Sequence, residues 1–297
     1  NKSSVTINVN EDGLVSLIEG NPDIGGTRTT IAMQAAEILG LPAEDVHPAV
    51  GDTDSIGYSD LTAGSRTTYA TGTAAIEAAK MVIDEMKKRV AMIWETEYWN
   101  IEHVDGLFVS KVAPDHKFTF KEAAGKLGQT GGPVAMTGTV NVRGSGGGSF
   151  GTHLVDVEVD RDTGKVEILR YTAAQDAGKA VHPSYVEGQF QGGAVQGIGW
   201  ALNEEYYTSD DGVMVNSTFL DYRMPTSLDV PMIETIIVEV ANTNHPFGVR
   251  GIGETSIVPP APAVANALAN AIGVRLYQTP MNPGRILEAL ATKKTGK

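Results

Sequence analysis

One order of patterns occurs twice along this chain, and it constrains the fold more than any other feature: hairpin, helix, strand, helix. In the first occurrence Val5-Thr6-Ile7-Asn8-Val9 alternates apolar with polar residues, Glu11-Asp12-Gly13 turns the chain, and Leu14 to Ile18 runs back. Asn21 to Thr30, rich in Gly, Asp and Thr, then leads into a helix pattern over Ile31 to Leu39 that Gly40 closes. Val46 to Val50 reads as a short strand, and Gly64-Ser65-Arg66-Thr67-Thr68 opens a long helix through Ala74, Ala75, Ala78, Ala79, Val82, Ile83 and Met86 toward Trp94. In the second occurrence Asp160 to Gly164 turns a hairpin into Val166 to Tyr171. A glycine-rich helix over Val186 to Leu202 follows, then a strand over Thr235 to Val240 and a helix over Ala261 to Ile272 that Gly273 stops. Leu107 to Val109, Lys117 to Phe120 and Phe219 to Thr226 read as further strand material, and Lys121 to Leu127 as a brief helix. The fold class expected is α+β, in two similar α/β layers spanning residues 1–140 and 141–297. The glycine-dense, charge-poor stretch Gly128 to Gly148 reads as the connection between them.

Composition narrows the function. With 297 residues, 41% of them hydrophobic, the chain can bury one large core or two smaller ones. A formal net charge of −13, with no basic run longer than Lys87-Lys88-Arg89, leaves no electrostatic footprint for nucleic acid or an anionic membrane. Small molecules and proteins are the expected partners. There is no cysteine, which excludes disulfides, thiolate zinc sites, iron–sulfur ligation by this chain and cysteine nucleophiles. No apolar stretch approaches the roughly 20 residues of a membrane span, and the N-terminus lacks a signal-peptide layout, so a cytoplasmic location is expected. The chain starts at Asn1 and moves straight into a strand pattern, which suggests a processed product, a shortened chain or one half of a split subunit.

Candidate chemistry gathers on glycine-rich turns. In Gly251-Ile252-Gly253-Glu254-Thr255-Ser256 a carboxylate lies just upstream of a helix start marked by Pro259, Pro260 and Pro262. The positive helix end favours an anion there and the glycines leave room for a bulky ligand, so Glu254 is either a general base or a turn carboxylate. The amides of Gly25 and Gly26, with nearby threonines, make either an anion site or a capped loop; Gly64, Ser65, Arg66 and Thr67 add hydroxyls and a guanidinium and make a better anion site. Asp52 and Asp54 suit a self-bonded turn better than a cation site, since the EF-hand pattern is absent. Residues 146–151 match GxGxxG formally, yet they lead into the strand Thr152 to Val159 where a dinucleotide fingerprint must open a helix. No GK[ST] follows any glycine cluster, which excludes a P-loop. The glycines inside Val186 to Leu202, around Gln189, cost a helix up to about 1 kcal/mol each, so either another element or a ligand approaches that backbone closely. The six histidines share no i, i+4 or HxH spacing, so a metal held by protein nitrogens is not expected.

The segment Pro246-Phe247-Gly248-Val249-Arg250-Gly251-Ile252-Gly253-Glu254, followed by Pro259 and Ala261 to Ala267, resembles the active-site stretch of the molybdenum hydroxylases. These are the xanthine dehydrogenases, aldehyde oxidoreductases, aerobic carbon monoxide dehydrogenases and N-heterocycle hydroxylases. The resemblance extends in order through Asp23 to Thr27, Gln34 to Gly40, Gly51 to Asp54, Gly64 to Thr68, Val157 to Asp160, Gly188-Gln189 with Gly192-Gly193 and Gln196-Gly197, and Asp221-Tyr222 with Pro225-Thr226. It implies the C-terminal half of a molybdopterin-binding subunit about twice as long. Glu254 is then the catalytic base, and Gly25, Gly26, Gly64, Ser65, Arg66, Thr67, Gln189 and Gly253 lie along the cofactor. Gly26 stands where the family often has Gln, which removes one side-chain contact to the pterin.

The implied cofactor is molybdenum–molybdopterin, with the metal held by the pterin dithiolene and by no residue of this chain; the plain pterin and its cytosine dinucleotide form both stay open, and a bacterial source would favour the dinucleotide. The implied partners are the N-terminal half of the subunit, a subunit with 2Fe–2S clusters and a flavin (FAD) subunit. The implied reaction hydroxylates an electron-poor carbon of an N-heteroaromatic, purine or aldehyde with oxygen from water; the substrate stays open, and carbon monoxide chemistry stays open beside these classes. Two other readings compete: an acidic α/β scaffold whose Glu254 is a cap, and a nucleotide-dependent transferase using Gly144 to Gly151, which the strand after those glycines disfavours.

Overall fold

The computed structural model describes residues 1–143 and 148–294. Alternation at the start of the chain produces the expected hairpin. β1 (Lys2–Val9) and β2 (Val15–Glu19) pair antiparallel from Val5↔Glu19 to Val9↔Val15, and Val5, Ile7, Val9, Val15 and Leu17 all turn inward. α1 (Thr27–Leu39) crosses over to β3 (Val46–Val50), which joins β2 in parallel. The helix ends on the left-handed Gly40, whose N–H returns to Ala36 and Glu37. It begins four residues before the apolar pattern does, because Thr27 and Thr30 are buried while their hydroxyls take local partners.

α2 (Thr67–Ile93) covers the same sheet. Its small residues let the sheet come close: a Cβ on Gly138 would lie 2.3 Å from the Ala74 carbonyl oxygen and 2.4 Å from the Ala78 nitrogen. The smaller sheet of the antiparallel strands β4 (Ile101–Val104), β5 (Leu107–Ser110) and β6 (Lys117–Thr119) leads into α3 (Phe120–Ala124), started by a reciprocal Thr119–Glu122 capping box. β4 escapes the sequence pattern because Glu102 and His103 interrupt its apolar residues.

The stretch read as a connection, Gly128 to Gly148, is not one. β7 (Val134–Asn141) pairs with the whole of β1, from Lys2↔Asn141 to Val9↔Val134, and gives the sheet the order β3-β2-β1-β7. Its inward positions are Val134, Met136, Gly138 and Val140, and the glycine that breaks the apolar rhythm is the one α2 requires. Gly146 and Gly147 of the GxGxxG match lie outside the described residues; Gly151 opens a strand.

The second occurrence has the same order of elements. β8 (Gly151–Val159) and β9 (Val166–Asp176) form an antiparallel pair with a register shift at Asp156/Val157, α4 (Pro183–Leu202) crosses over, β10 (Ile233–Val238) runs parallel to β9, and α5 (Pro260–Ile272) and α6 (Pro283–Lys294) follow. Tyr171, Ala173, Ala194, Ile198, Val264, Leu268 and Ile272 form its core. Phe219 to Thr226, expected to be a strand, instead turns at Thr218–Asp221 and at Thr226–Asp229, where hydroxyls and carboxylates bond locally.

The chain divides into two compact units, residues 1–147 with 241–251, and residues 148–240 with 252–297. Segment 241–251, expected in the second half, thus packs with the first. Both units are α+β, and no helix among the described residues is long and apolar enough to cross a membrane.

Candidate functional site

In the first unit two loops precede the two long helices. Gly25 (φ 61°) and Gly26 (φ 77°) are both left-handed ahead of α1, and Gly26 occupies its N-cap. Gly64 (φ 65°) and Ser65 (φ 56°) are left-handed ahead of α2; Ser65 is a non-glycine residue held there, the kind of strain that needs support from its surroundings. Support is visible: a Cβ at Gly251 would lie 1.8 Å from the Ser65 carbonyl oxygen, so only glycine fits against this loop. A Cβ at Gly64 meets nothing within 4 Å, so that side of the loop is open. The middle of α1 is joined to the start of α2, Gln34 Nε2 donating to the Thr68 carbonyl at 3.1 Å.

Arg66 was expected to offer its guanidinium to an anion, but the side chain is 2% exposed and points inward. Nη1 donates to the Asp60 carbonyl at 2.8 Å and Nη2 to the Lys2 carbonyl at 2.5 Å and to Ser3 Oγ at 2.6 Å. The guanidinium therefore shapes the loop from beneath. Thr67 Oγ1 is buried at the first position of α2 and finds no hydrogen-bond partner among the described residues.

Sequence reasoning missed Glu19. It is fully buried at the end of β2, and burial pushes its carboxyl up to about 7, against the opposing hydrogen bond from the Asn21 N–H. The signal was present: Val15, Leu17 and Glu19 share the inward face of an alternating strand.

In the second unit Glu254 is exposed, at the N-cap of a single 3₁₀ turn, Thr255–Ile257, that precedes α5. This turn sits directly on α4. Ser256 Oγ donates to the Gln189 carbonyl at 3.1 Å, a Cβ at Gly193 would lie 2.3 Å from that same Oγ, and one at Gly197 would lie 2.7 Å from Pro260. Apart from Gly199, where a Cβ would meet Glu204 and Pro225, the glycines of α4 thus divide into two sets. Gly193 and Gly197 accept the turn, whereas Gly188 and Gly192, on either side of Gln189, have open space where a Cβ would be. Packing against an element and room for a ligand, posed as alternatives by the sequence, apply to different glycines of one helix.

Residues 1–231 match the family model of the molybdopterin cofactor-binding domain. The chain belongs to that family. The match includes Gly25, Gly26, Gly64 to Thr67 and Gln189, and ends before Gly253 and Glu254. Among similar proteins, the xanthine dehydrogenase molybdenum-binding subunit of Escherichia coli O157:H7 is 31% identical over 287 residues, covering 94% of this chain and 38% of that protein. The 6-hydroxypseudooxynicotine dehydrogenase complex subunit gamma of Paenarthrobacter nicotinovorans is 30% identical over 295 residues, with 94% and 36% covered. The structure of quinoline 2-oxidoreductase from Pseudomonas putida 86 superimposes with a TM-score of 0.85 at 29% identity, over 98% of this chain and 38% of that one. The chain thus spans a little over a third of the length of these relatives. Within the molybdopterin-binding family the residues present suit the cofactor: an unpartnered buried hydroxyl at Thr67, an open glycine at Gly64 and open glycines beside Gln189 are polar groups and space that a bulky polyanionic ligand would use.

Proposed function

We propose that this chain is the C-terminal part of the molybdenum-cofactor subunit of an oxidoreductase that hydroxylates an electron-poor carbon of an N-heteroaromatic, purine or aldehyde, with water as the oxygen source. When bound, the molybdenum–molybdopterin group, proposed in its cytosine dinucleotide form, supplies the redox centre that accepts the substrate's electrons. Gly25, Gly26, Gly64, Ser65, Thr67, Gln189 and Gly253 are the residues proposed to give it backbone and hydroxyl contacts. Arg66 acts through the loop its guanidinium holds.

Glu254 is the base. Its carboxylate takes the proton from the water-derived nucleophile as oxygen is transferred, and the turn that carries it is seated on α4, where Gly193 leaves no space for a side chain against Ser256. The observation that carries this reading is the seating of the Glu254 turn on α4, where Ser256 bonds to Gln189 itself and leaves Gly188 and Gly192 open. Some relatives are named as a subunit of a complex or as a large chain, and this chain has no cysteine to ligate iron–sulfur clusters; both support the part of this reading that assigns 2Fe–2S clusters to one partner subunit and FAD to another.

Two measurements test this. Molybdenum and iron are determined per chain in the complex purified from its native cells, and both are expected near stoichiometric amounts; a folded complex with neither would favour a scaffold role. Glu254→Gln is expected to retain molybdenum while turnover falls roughly 10²–10⁴-fold. Turnover at the unaltered rate with cofactor bound would remove Glu254 from the mechanism.

A further inference from the structure

Beneath the loops of the first unit runs a line of buried side chains whose hydrogen bonds have a single direction. Arg66 Nη2 donates to Ser3 Oγ at 2.6 Å, and Thr71 Oγ1 donates to Asn21 Oδ1 at 2.8 Å. The Ser3 and Thr71 hydroxyls lie 3.0 Å apart, and since Thr71 has committed its hydrogen, Ser3 is the donor between them. Asn21 Nδ2 in turn donates to the Asp60 carbonyl at 3.3 Å and to Thr62 Oγ1 at 3.2 Å. Asn21 therefore ties its own loop, which continues into Gly25 and Gly26, to the loop that carries Gly64, Ser65 and Thr67. Its backbone N–H donates to Glu19 Oε2 at 2.6 Å, while Glu19 Oε1 is buried without a partner among the described residues.

We propose that Glu19 and Asn21 are positioning residues for the cofactor: the buried Glu19 carboxyl anchors Asn21, and Asn21 holds the two cofactor loops in register. This rests on the reading above, in which those loops contact the pterin. The charged groups that face Glu19 are Asp23 and Arg28 around the start of α1, and Arg66 ahead of α2; Arg66 is itself engaged with Asp60 and Tyr58. None of them hydrogen-bonds the unpartnered Oε1. In its neutral form the carboxyl suits this enclosure. Once ionised it is a buried charge with half its acceptors unused, a cost relieved by admitting water and loosening Asn21. Since burial raises Glu19 to about 7, this change falls near neutral pH, well above the range in which the buried His245, lowered to about 4, takes up a proton.

The test follows molybdenum and released pterin per chain in the intact native complex after buffer exchange between pH 6 and pH 8.5, in the unaltered protein and in Glu19→Gln. Glutamine keeps the shape and the acceptor for the Asn21 N–H and carries no charge. In the unaltered protein, cofactor retention is expected to weaken through neutrality, by roughly tenfold per pH unit at most for one proton. Glu19→Gln is expected to hold its cofactor at the low-pH level throughout, and Asn21→Ala to lose cofactor at every pH while remaining folded by circular dichroism. The same pH profile in the unaltered protein and in Glu19→Gln, or full retention in Asn21→Ala, would overturn the positioning role and leave the cofactor reading intact. An absence of molybdenum at every pH in every form would overturn both.

Discussion

Glu19 and His245 work against each other as the pH changes. His245 packs against Tyr69 and Phe247 and accepts the Phe247 N–H, and burial lowers it from 6.5 to about 4. Its contribution to stability is complete above pH 6.5 and is lost as pH falls toward 4, because the unfolded chain binds the proton first. Glu19 is raised from 4.5 to about 7, so its contribution is complete below pH 4.5 and is lost as pH rises through 7. In the interval they share, the two slopes cancel. Glu19→Gln removes one of them: its stability relative to the unaltered chain is expected to climb by about 3 kcal/mol between pH 4.5 and 7 and to be level outside that interval, as read by urea unfolding at a series of pH values. A difference independent of pH would mean that Glu19 is not protonated in the folded state. The sequence displays Glu254 by its glycines. Glu19 carries no such glycine marker: alternation puts it on the inward face of β2, but its raised carboxyl depends on burial, which only the folded chain supplies.

At the level of elements, α4 offers the sharpest contrast. Gly193→Ala places a methyl group 2.3 Å from Ser256 Oγ and is expected to destabilise the second unit by about 1–3 kcal/mol and to displace the turn that carries Glu254. Adding Ser256→Ala should recover part of that loss, since the nearest atom is then gone. Gly188→Ala meets nothing and is expected to stabilise the helix by up to about 1 kcal/mol in thermal unfolding. If the open face carries cofactor, the same substitution lowers molybdenum content while raising stability, a split that packing alone does not produce. The existence of α4 was legible from its apolar spacing and its end. Which glycines were packed was not, because that depends on where the Ser256 turn lands 67 residues later. β7 teaches the same lesson: its glycine looks like a linker until α2 is laid against it.

For the whole molecule, the stretch between α4 and β10 exposes Phe219, Leu220, Leu228 and Met232 almost completely, although local hydrogen bonds define its turns. Apolar surface of this size on a chain a little over a third as long as its relatives is expected to drive self-association when the chain is expressed alone. Replacing these four residues with serine should restore a single sedimenting species; unchanged sedimentation would locate the association elsewhere. What the sequence determined by itself is the succession hairpin, helix, strand, helix in each half, because alternation, helical periodicity and glycine stops act over a few residues, and the family resemblance, because its motifs keep their order. Tertiary structure alone decided that segment 241–251 packs with the first unit, that Arg66 turns inward, and that Gly188 and Gly192 stay open while Gly193 and Gly197 close. Each of these depends on contacts between residues far apart in the chain, where steric fit and desolvation act and local patterns carry no information.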